Sequence, residues 1–167
     1  MKFIKIILVI IFILICFSYF NKSFFDFDEI EYYHKNIAEE DLIKFLRAEE
    51  KLKTTQFSDI VINDYPKTVN ENFYKLLAKN GFTKLPLNSD KYQEINDIFS
   101  KSICLTGVAN ACVPIYRDIL IFKKNKKTVG IAKVCFACQQ HHIVGSRENT
   151  NNFGNCGDYE ELESILK

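Results

Sequence analysis

The cysteines and histidines of this chain are concentrated in one stretch, from Cys112 to His142. The stretch contains three of the six cysteines and two of the three histidines. Thiolates and imidazoles are the side chains that bind zinc, exchange disulfides and act as nucleophiles. We therefore expect any chemistry of this protein to involve these residues.

Zinc binding is one chemistry that the spacing permits. Cys135 and Cys138 form a CxxC motif, and His141 follows three residues later. With Cys112 across a predicted hairpin, they make a Cys3His set of the kind that zinc accepts. Two observations weaken the prediction. Gln139 occupies the position where CxxC zinc loops usually have glycine, and the sequence contains no second CxxC.

Disulfide formation is the alternative that we favour. Outside the cytoplasm thiols tend to oxidise, so cysteines there pair more often than they catalyse. If Cys16 stays in a membrane, five cysteines remain, and an odd number cannot all pair within one chain. Cys112 has candidate partners in Cys104, across a short loop, and in Cys135 or Cys138, across neighbouring strands. The sequence leaves these pairings open, because strand register decides which β-carbons are close enough.

Catalytic use of these residues has less support. A thioredoxin-like CxxC places its first cysteine at a helix N-terminus, whereas residues 139–145 lack helical periodicity. Acyl transfer by cysteine and histidine needs an oxyanion site, for which the sequence offers no candidate. We therefore predict no catalytic residues and favour a protein that is not an enzyme.

The first twenty residues indicate export or membrane attachment. Lys2 and Lys5 precede an uncharged run, Ile6–Phe20. Residues 3–20 are long enough to span a bilayer if the Lys5 side chain reaches the headgroup layer. No small-x-small cleavage site follows the run, which favours an uncleaved anchor over a secretory signal. Cleavage and lipidation at Cys16 stay open as alternatives.

This topology divides the chain into three parts. Residues 1–22 are the anchor or signal segment, and the aromatic and acidic residues 23–36 are expected to form a juxtamembrane connector. Residues 37–167 then form one small α+β domain with a single core. The positive N-terminus predicts that this domain lies outside the cytoplasm.

The α+β assignment rests on a mixture of helix and strand patterns. A helix around Phe73–Leu77 follows the capping-box pair Thr68 and Glu71 and is ended by Asn80-Gly81. Residues 57–62 (FSDIVI) are short and β-branched, so they predict a strand. Three other segments have apolar residues every three or four positions and predict amphipathic helices: residues 37–53, 92–103 and 159–166.

A β-hairpin lies between the last two helices. Residues 114–122 and 128–136 carry apolar side chains on both faces, which predicts central strands rather than an edge. Lys124–Lys127 lies between them as a turn. Residues 141–144 add a further short strand. We expect an antiparallel hairpin or small sheet packed by the amphipathic helices.

The charge of the chain argues against nucleic-acid binding. It has 22 Lys and Arg residues against 21 Asp and Glu, whereas nucleic-acid binding needs a basic face. The densest basic run, Lys123–Lys127, falls in the predicted turn and is interpreted as solvated. His34 stands apart from the other histidines and is interpreted as a surface residue.

The hairpin carries a pattern that resembles other proteins. Cys112-x-Pro114-x-Tyr116-Arg117-Asp118, paired with Cys135-Phe136-x-Cys138, is similar to a motif of uncharacterised bacterial membrane-anchored or lipoprotein-like proteins. The resemblance covers residues 112–138. It implies an exported bacterial domain and no particular activity.

Together these observations predict a membrane-anchored binding or structural module that is stabilised by disulfides. The alternative is a zinc or thiol-redox site formed by Cys112, Cys135, Cys138 and His141.

Mass spectrometry and metal analysis of the protein isolated under oxidising conditions distinguish the two predictions. Bridged thiols without zinc support the first, because zinc binds cysteine as the thiolate. One equivalent of zinc that is lost in Cys135→Ser would contradict it.

Overall fold

The computed structural model describes residues 22–38, 40, 55–100 and 112–167. The predicted membrane contact through residues 3–20 lies outside these ranges, as does nearly all of the predicted helix over residues 37–53. No helix within the described ranges is long and apolar enough to cross a membrane.

Five antiparallel strands form one sheet in the described part of the chain. Their order across the sheet is β2-β1-β3-β4-β5, which places β3 at the centre. This sheet and the helices around it confirm a small α+β domain. The strands are β1 (Glu29–His34), β2 (Thr83–Leu85), β3 (Asp118–Lys124), β4 (Lys127–Cys135) and β5 (Gln140–Val144).

The predicted hairpin is confirmed as β3 and β4. Asp118 lies opposite Val134 in their antiparallel register. Asn125 and Lys126 form the turn, with φ values of 51° and 66°. Two successive residues with positive φ give the kind of two-residue turn that matches the twist of paired strands. β5 pairs with β4 and confirms the strand predicted at residues 141–144.

The expected connector, residues 23–36, is instead an integral part of the domain. It contains β1, which lies between β2 and β3, and the core residues Phe24 and Phe25, which are 1% and 2% exposed. The Phe25 ring lies so close to Gly130 on β4 that a β-carbon there would come within 2.2 Å of it. Local periodicity could not reveal this role, because the partners of β1 are far along the chain.

Helices cover both faces of the sheet. Leu120 and Val134 pack on one face with α3 and α4, which we call the α3/α4 face. Ile119 and Ile131 pack on the other with α1 and α2, the α1/α2 face. Alternate residues of the central strands point to opposite faces of the sheet. Each of these strands therefore packs against the helices on both faces. Within the described ranges, these helices are α1 (Gln56–Val61), α2 (Phe73–Lys79), α3 (Tyr92–Ile98) and α4 (Asp158–Leu166).

The strand predicted at residues 57–62 is wrong, because these residues belong to helix α1. Thr55 and Ser58 form a capping box at its N-terminus, a start signal that outweighs the β-branched composition. Ile60 and Val61 are fully buried against the α1/α2 face. A short apolar run fits a strand and a buried helix equally well, and tertiary packing decides between them.

The other three helices confirm the predicted amphipathic pattern but differ at their ends. α2 begins at Phe73 without a side-chain cap, so the pair Thr68 and Glu71 does not start it. It ends before Gly81, which has the predicted positive φ of 76°. α3 follows a 3-10 turn at Ser89–Lys91 and ends at Ile98, short of the predicted end.

A fully buried lysine links α1 to β4. Lys133 is 0% exposed, and its Nζ donates to the carbonyls of Ile60 (2.8 Å) and Asn63 (2.5 Å) at the end of α1. The same Nζ lies 4.3 Å from the centre of the Tyr116 ring. Burial lowers the pKa of Lys133 to about 7, although the nearby Asp64 and Asp59 raise it. The ammonium and the neutral amine both supply the N–H groups that the two carbonyls need.

Lys133→Met is expected to lower the free energy of unfolding by about 2 kcal/mol, because two carbonyls lose their donor. Urea denaturation followed by circular dichroism measures the change. Lys127→Met alters an exposed lysine of the same strand and should change stability by less than about 0.5 kcal/mol. Equal stability of the two variants would contradict the role assigned to Lys133.

Candidate functional site

Cys112 and Cys138 form a disulfide. Their Cα atoms are 6.0 Å apart, and the bond joins the segment before β3 to the turn between β4 and β5. This is one of the pairings predicted for Cys112, and it excludes the pairing with Cys104. Cys156 is also disulfide-bonded. The disulfide part of the sequence prediction is therefore confirmed.

Cys135 is the free thiol among the described cysteines. It lies at the end of β4, is 4% exposed, and packs in one cluster with Tyr116 and Cys138. The backbone N–H of Ile115 donates to its Sγ over 3.3 Å. The segment 112–117 is thus attached to the end of β4 by this hydrogen bond and to the following turn by the disulfide.

The turn after β4 contains a left-handed residue directly after Cys138. Gln139 adopts a φ of 49°, in the left-handed region that glycine enters most easily. Its side-chain amide donates to the Glu160 carboxylate at the start of α4, over 2.7 Å. This contact stabilises the turn from outside the loop.

The predicted zinc set does not assemble. Cys112 and Cys138 are bonded to each other, so neither is available as a thiolate. His141 lies opposite Val134 in the sheet, and Cys135 is the next residue along β4. Neighbouring residues of a strand project to opposite faces, so the Cys135 and His141 side chains point apart. Among the described residues, no three His, Cys, Asp or Glu side chains are grouped to hold a metal ion.

His141 instead has a structural environment on the α3/α4 face. Its Nδ1 lies 2.8 Å from the Tyr159 hydroxyl, and its ring packs edge-on against Phe153 at 4.9 Å between centroids. Burial lowers the pKa of His141 to about 4, although a backbone hydrogen bond with Thr150 raises it. At neutral pH the imidazole is therefore uncharged and serves to connect β5 with α4 and the loop before it.

A cavity of about 580 Å³ opens beside the disulfide, and we call it the disulfide cavity. Cys135 and Cys138 both line it. Its size suits a small organic molecule. Val113 is 55% exposed at its wall, which is unusual for a large apolar side chain in this domain. The apolar part of the wall consists of Ile37, Val113, Ile115, Phe136 and Ala137.

Asp118 brings a buried carboxylate to the disulfide cavity. It is 4% exposed and accepts a hydrogen bond from the Tyr32 hydroxyl over 2.6 Å. The same carboxylate oxygen lies 2.7 Å from Nδ1 of His34. Burial and this carboxylate together raise the pKa of the Tyr32 hydroxyl, so Tyr32 stays a hydrogen-bond donor.

His34 is therefore not the isolated surface residue that the sequence indicates. It lies directly opposite Asp118 in the register of β1 and β3. The two residues are 84 positions apart along the chain, and no short motif contains both. The contact between His34 and Asp118 could be predicted only if β1 were recognised as a strand that pairs with β3.

Arg117 lines the disulfide cavity, although its place in the sequence motif indicates no role for its side chain. Its Nε is buried without a hydrogen-bond partner, and its guanidinium has no ion pair among the described residues. The cavity's other cation, Lys167, forms an ion pair with Glu163. Arg117 is thus the unpaired positive charge of this cavity within the part of the chain that is described.

A second cavity, of about 480 Å³, lies between the start of β5 and the first turn of α4. Part of its wall comes from residues 151–157, in the loop that the sequence predicts as irregular. Its polar lining contains the amides of Asn151 and Asn155 and the Glu160 carboxylate, without a lysine or arginine. It therefore lacks the positive charge that distinguishes the disulfide cavity.

Comparisons of the chain with protein-family models, with curated proteins and with solved structures found no match.

His141 is expected to make stability depend on pH between 6.5 and 4. In this range the unfolded chain binds a proton that the folded protein does not, so stability falls as pH decreases. The contribution approaches about 1.4 kcal/mol per pH unit for one proton. His141→Asn should reduce the slope by about one proton, as measured by urea denaturation at several pH values.

Tyr159→Phe serves as the matched control, because it removes the hydroxyl partner and keeps the imidazole buried. This variant should retain most of the slope, since burial is the main cause of the lowered pKa of His141. An unchanged slope in His141→Asn would contradict the assignment.

Proposed function

We propose that this protein is a non-enzymatic, membrane-anchored binding module whose ligand is a small organic anion with an apolar body. The observation that carries the proposal is Arg117, which lines the disulfide cavity without an ion pair among the described residues. A guanidinium binds carboxylate or phosphate oxygens through two parallel hydrogen bonds. The apolar wall beside it suits the rest of such a ligand.

The distribution of charge in the disulfide cavity favours an anion over a cation. The Asp118 carboxylate is already engaged by Tyr32 and His34. The Glu163 carboxylate is engaged by Lys167. An entering anion therefore meets a guanidinium that is not neutralised, whereas an entering cation would have to compete for carboxylates that have partners.

The wall of the disulfide cavity is fixed before any ligand arrives. The disulfide holds Cys112, and the N–H of Tyr116 donates to the Val61 carbonyl over 2.8 Å. The Ile115 N–H is held by the Cys135 Sγ. A wall that is already ordered loses less conformational entropy on binding, which favours affinity for a small ligand.

The proposed location follows from the short distance between the apolar run and the core. The run ends at Phe20, while Phe24 is already buried in the domain. Four residues reach at most about 14 Å when fully extended. If residues 3–20 span a membrane, the short link holds the domain close to the bilayer surface.

Binding of 4-phenylbutyrate to the full chain in nanodiscs tests the proposal, with empty nanodiscs as the blank. Isothermal titration should show tighter binding of 4-phenylbutyrate than of uncharged 4-phenylbutanol. Arg117→Gln should weaken 4-phenylbutyrate binding by roughly tenfold or more, because a hydrogen-bonded charge contributes about 1.5–3 kcal/mol. It should also abolish the preference for the acid.

Arg147→Gln is the matched control, because Arg147 is an exposed arginine that lines a different surface pocket. This variant should bind 4-phenylbutyrate as the unaltered protein does. The proposal fails if 4-phenylbutyrate does not bind, or if Arg117→Gln and Arg147→Gln have the same effect.

A further inference from the structure

A free thiol and one half of a disulfide line the same side of the disulfide cavity. Cys135, a free thiol at the end of β4, lies three positions before Cys138, which is bonded to Cys112. Cys135 and Cys138 belong to the same buried cluster around Tyr116, and both line the cavity. A thiol placed beside a disulfide is the arrangement from which thiol–disulfide exchange begins.

We propose that Cys135 is the internal nucleophile of a disulfide exchange that releases Cys112 as a reactive thiol. The Cys135 thiol gives up its proton, and its thiolate attacks the Sγ of Cys138. The Cys135–Cys138 bond forms as the Cys112–Cys138 bond breaks, and Cys112 leaves as a thiolate that takes up a proton. One disulfide and one thiol are present before and after the step, so no oxidant or reductant is consumed.

The direction of attack follows from burial. Cys138 is 8% exposed and packs in one buried cluster with Cys135. Cys112 is exposed, so water solvates it as the departing thiolate. Attack on Cys112 would instead release the thiolate on Cys138, which water reaches less than it reaches Cys112. The Cys135 thiolate is needed in both routes, so the leaving group decides between them.

The spacing of the two cysteines along the chain permits the new bond. Cys135 and Cys138 have the two-residue spacing at which CxxC disulfides form. The segment 113–117 keeps two anchors when Cys112 is released, because Tyr116 N–H still donates to Val61 and Lys133 still lies against the Tyr116 ring. The exchange therefore frees the exposed end of the segment without detaching its buried part.

This exchange goes beyond the proposed ligand binding and does not depend on it. The released Cys112 thiol would lie next to Val113 at the cavity wall and react with thiol-directed electrophiles or with disulfides in the surroundings. The site assigned here is thus a reactive thiol that is covered in one disulfide isomer and exposed in the other.

Trapping with iodoacetamide at pH 8.5 tests the exchange in the folded full chain without added ligand. Trypsin then cleaves after Lys133 and Arg147, so Cys135 and Cys138 remain on one peptide, whereas Cys112 is on another. We expect carbamidomethylated Cys112 to accumulate over minutes to hours, the range of uncatalysed disulfide rearrangement. The 134–147 peptide should accumulate in parallel with an internal disulfide, lighter by two hydrogens than its dithiol form.

Cys135→Ser removes the nucleophile and should abolish the labelling of Cys112 while the Cys112–Cys138 link stays intact. Cys135→Ala provides a second variant, and circular dichroism checks that each is folded. The proposal is overturned if alkylation of the native protein is confined to Cys135. It is also overturned if Cys112 is labelled equally in the folded Cys135 variants, because another nucleophile would then be responsible.

The two proposals of this protein can fail separately. If 4-phenylbutyrate binds but Cys112 is not labelled, the exchange proposal is wrong and the binding proposal stands. If Cys112 is labelled but 4-phenylbutyrate does not bind, the binding proposal is wrong and the exchange proposal stands.

Discussion

The buried amino group of Lys133 is the interaction on which the arrangement around the cysteines depends. It holds the carbonyls of Ile60 and Asn63 at the end of α1 and lies against the ring of Tyr116. Three separate parts of the chain, namely α1, β4 and the segment before β3, therefore meet at one nitrogen. A buried donor that satisfies two carbonyls is costly to remove, because both carbonyls would be left without a partner. The position of the segment 112–117, and with it the wall of the disulfide cavity, follows from this contact.

The cysteine-rich stretch combines two roles that are usually separate. The Cys112–Cys138 bond fixes the cavity wall, and the Cys135 thiol lies in the same cluster as one of its sulfurs. Cys135 and Cys138 line the same cavity as Arg117 and the apolar wall. An anion that enters the cavity would come to lie beside the disulfide. Binding and thiol chemistry thus share one surface, although each rests on its own set of residues.

Local sequence patterns predicted the elements whose partners are near in the chain. The β3–β4 hairpin followed from alternation on both sides of the Lys124–Lys127 turn, and α2 and α4 followed from helical spacing. Elements with distant partners were predicted wrongly. The segment 23–36 has few local signals because its strand pairs with β3, far along the chain. Residues 57–62 have a β-branched composition, yet a capping box and burial against the sheet make them a helix.

By itself the sequence determined the small α+β class, the hairpin and the concentration of cysteines in one stretch, because these features depend on composition and short-range spacing. Only the tertiary structure decided which sulfur pairs with Cys112 and that His141 points away from Cys135. It also decided that Asp118 meets His34 and that Arg117 has no ion pair among the described residues. Strand register sets each of these outcomes, since a shift of one residue moves a side chain to the opposite face. In the stretch from Cys112 to His142, a disulfide and the free thiol of Cys135 therefore lie beside a cavity. The strand register keeps Cys135 and His141 on opposite faces, so the predicted zinc ligands are not brought together.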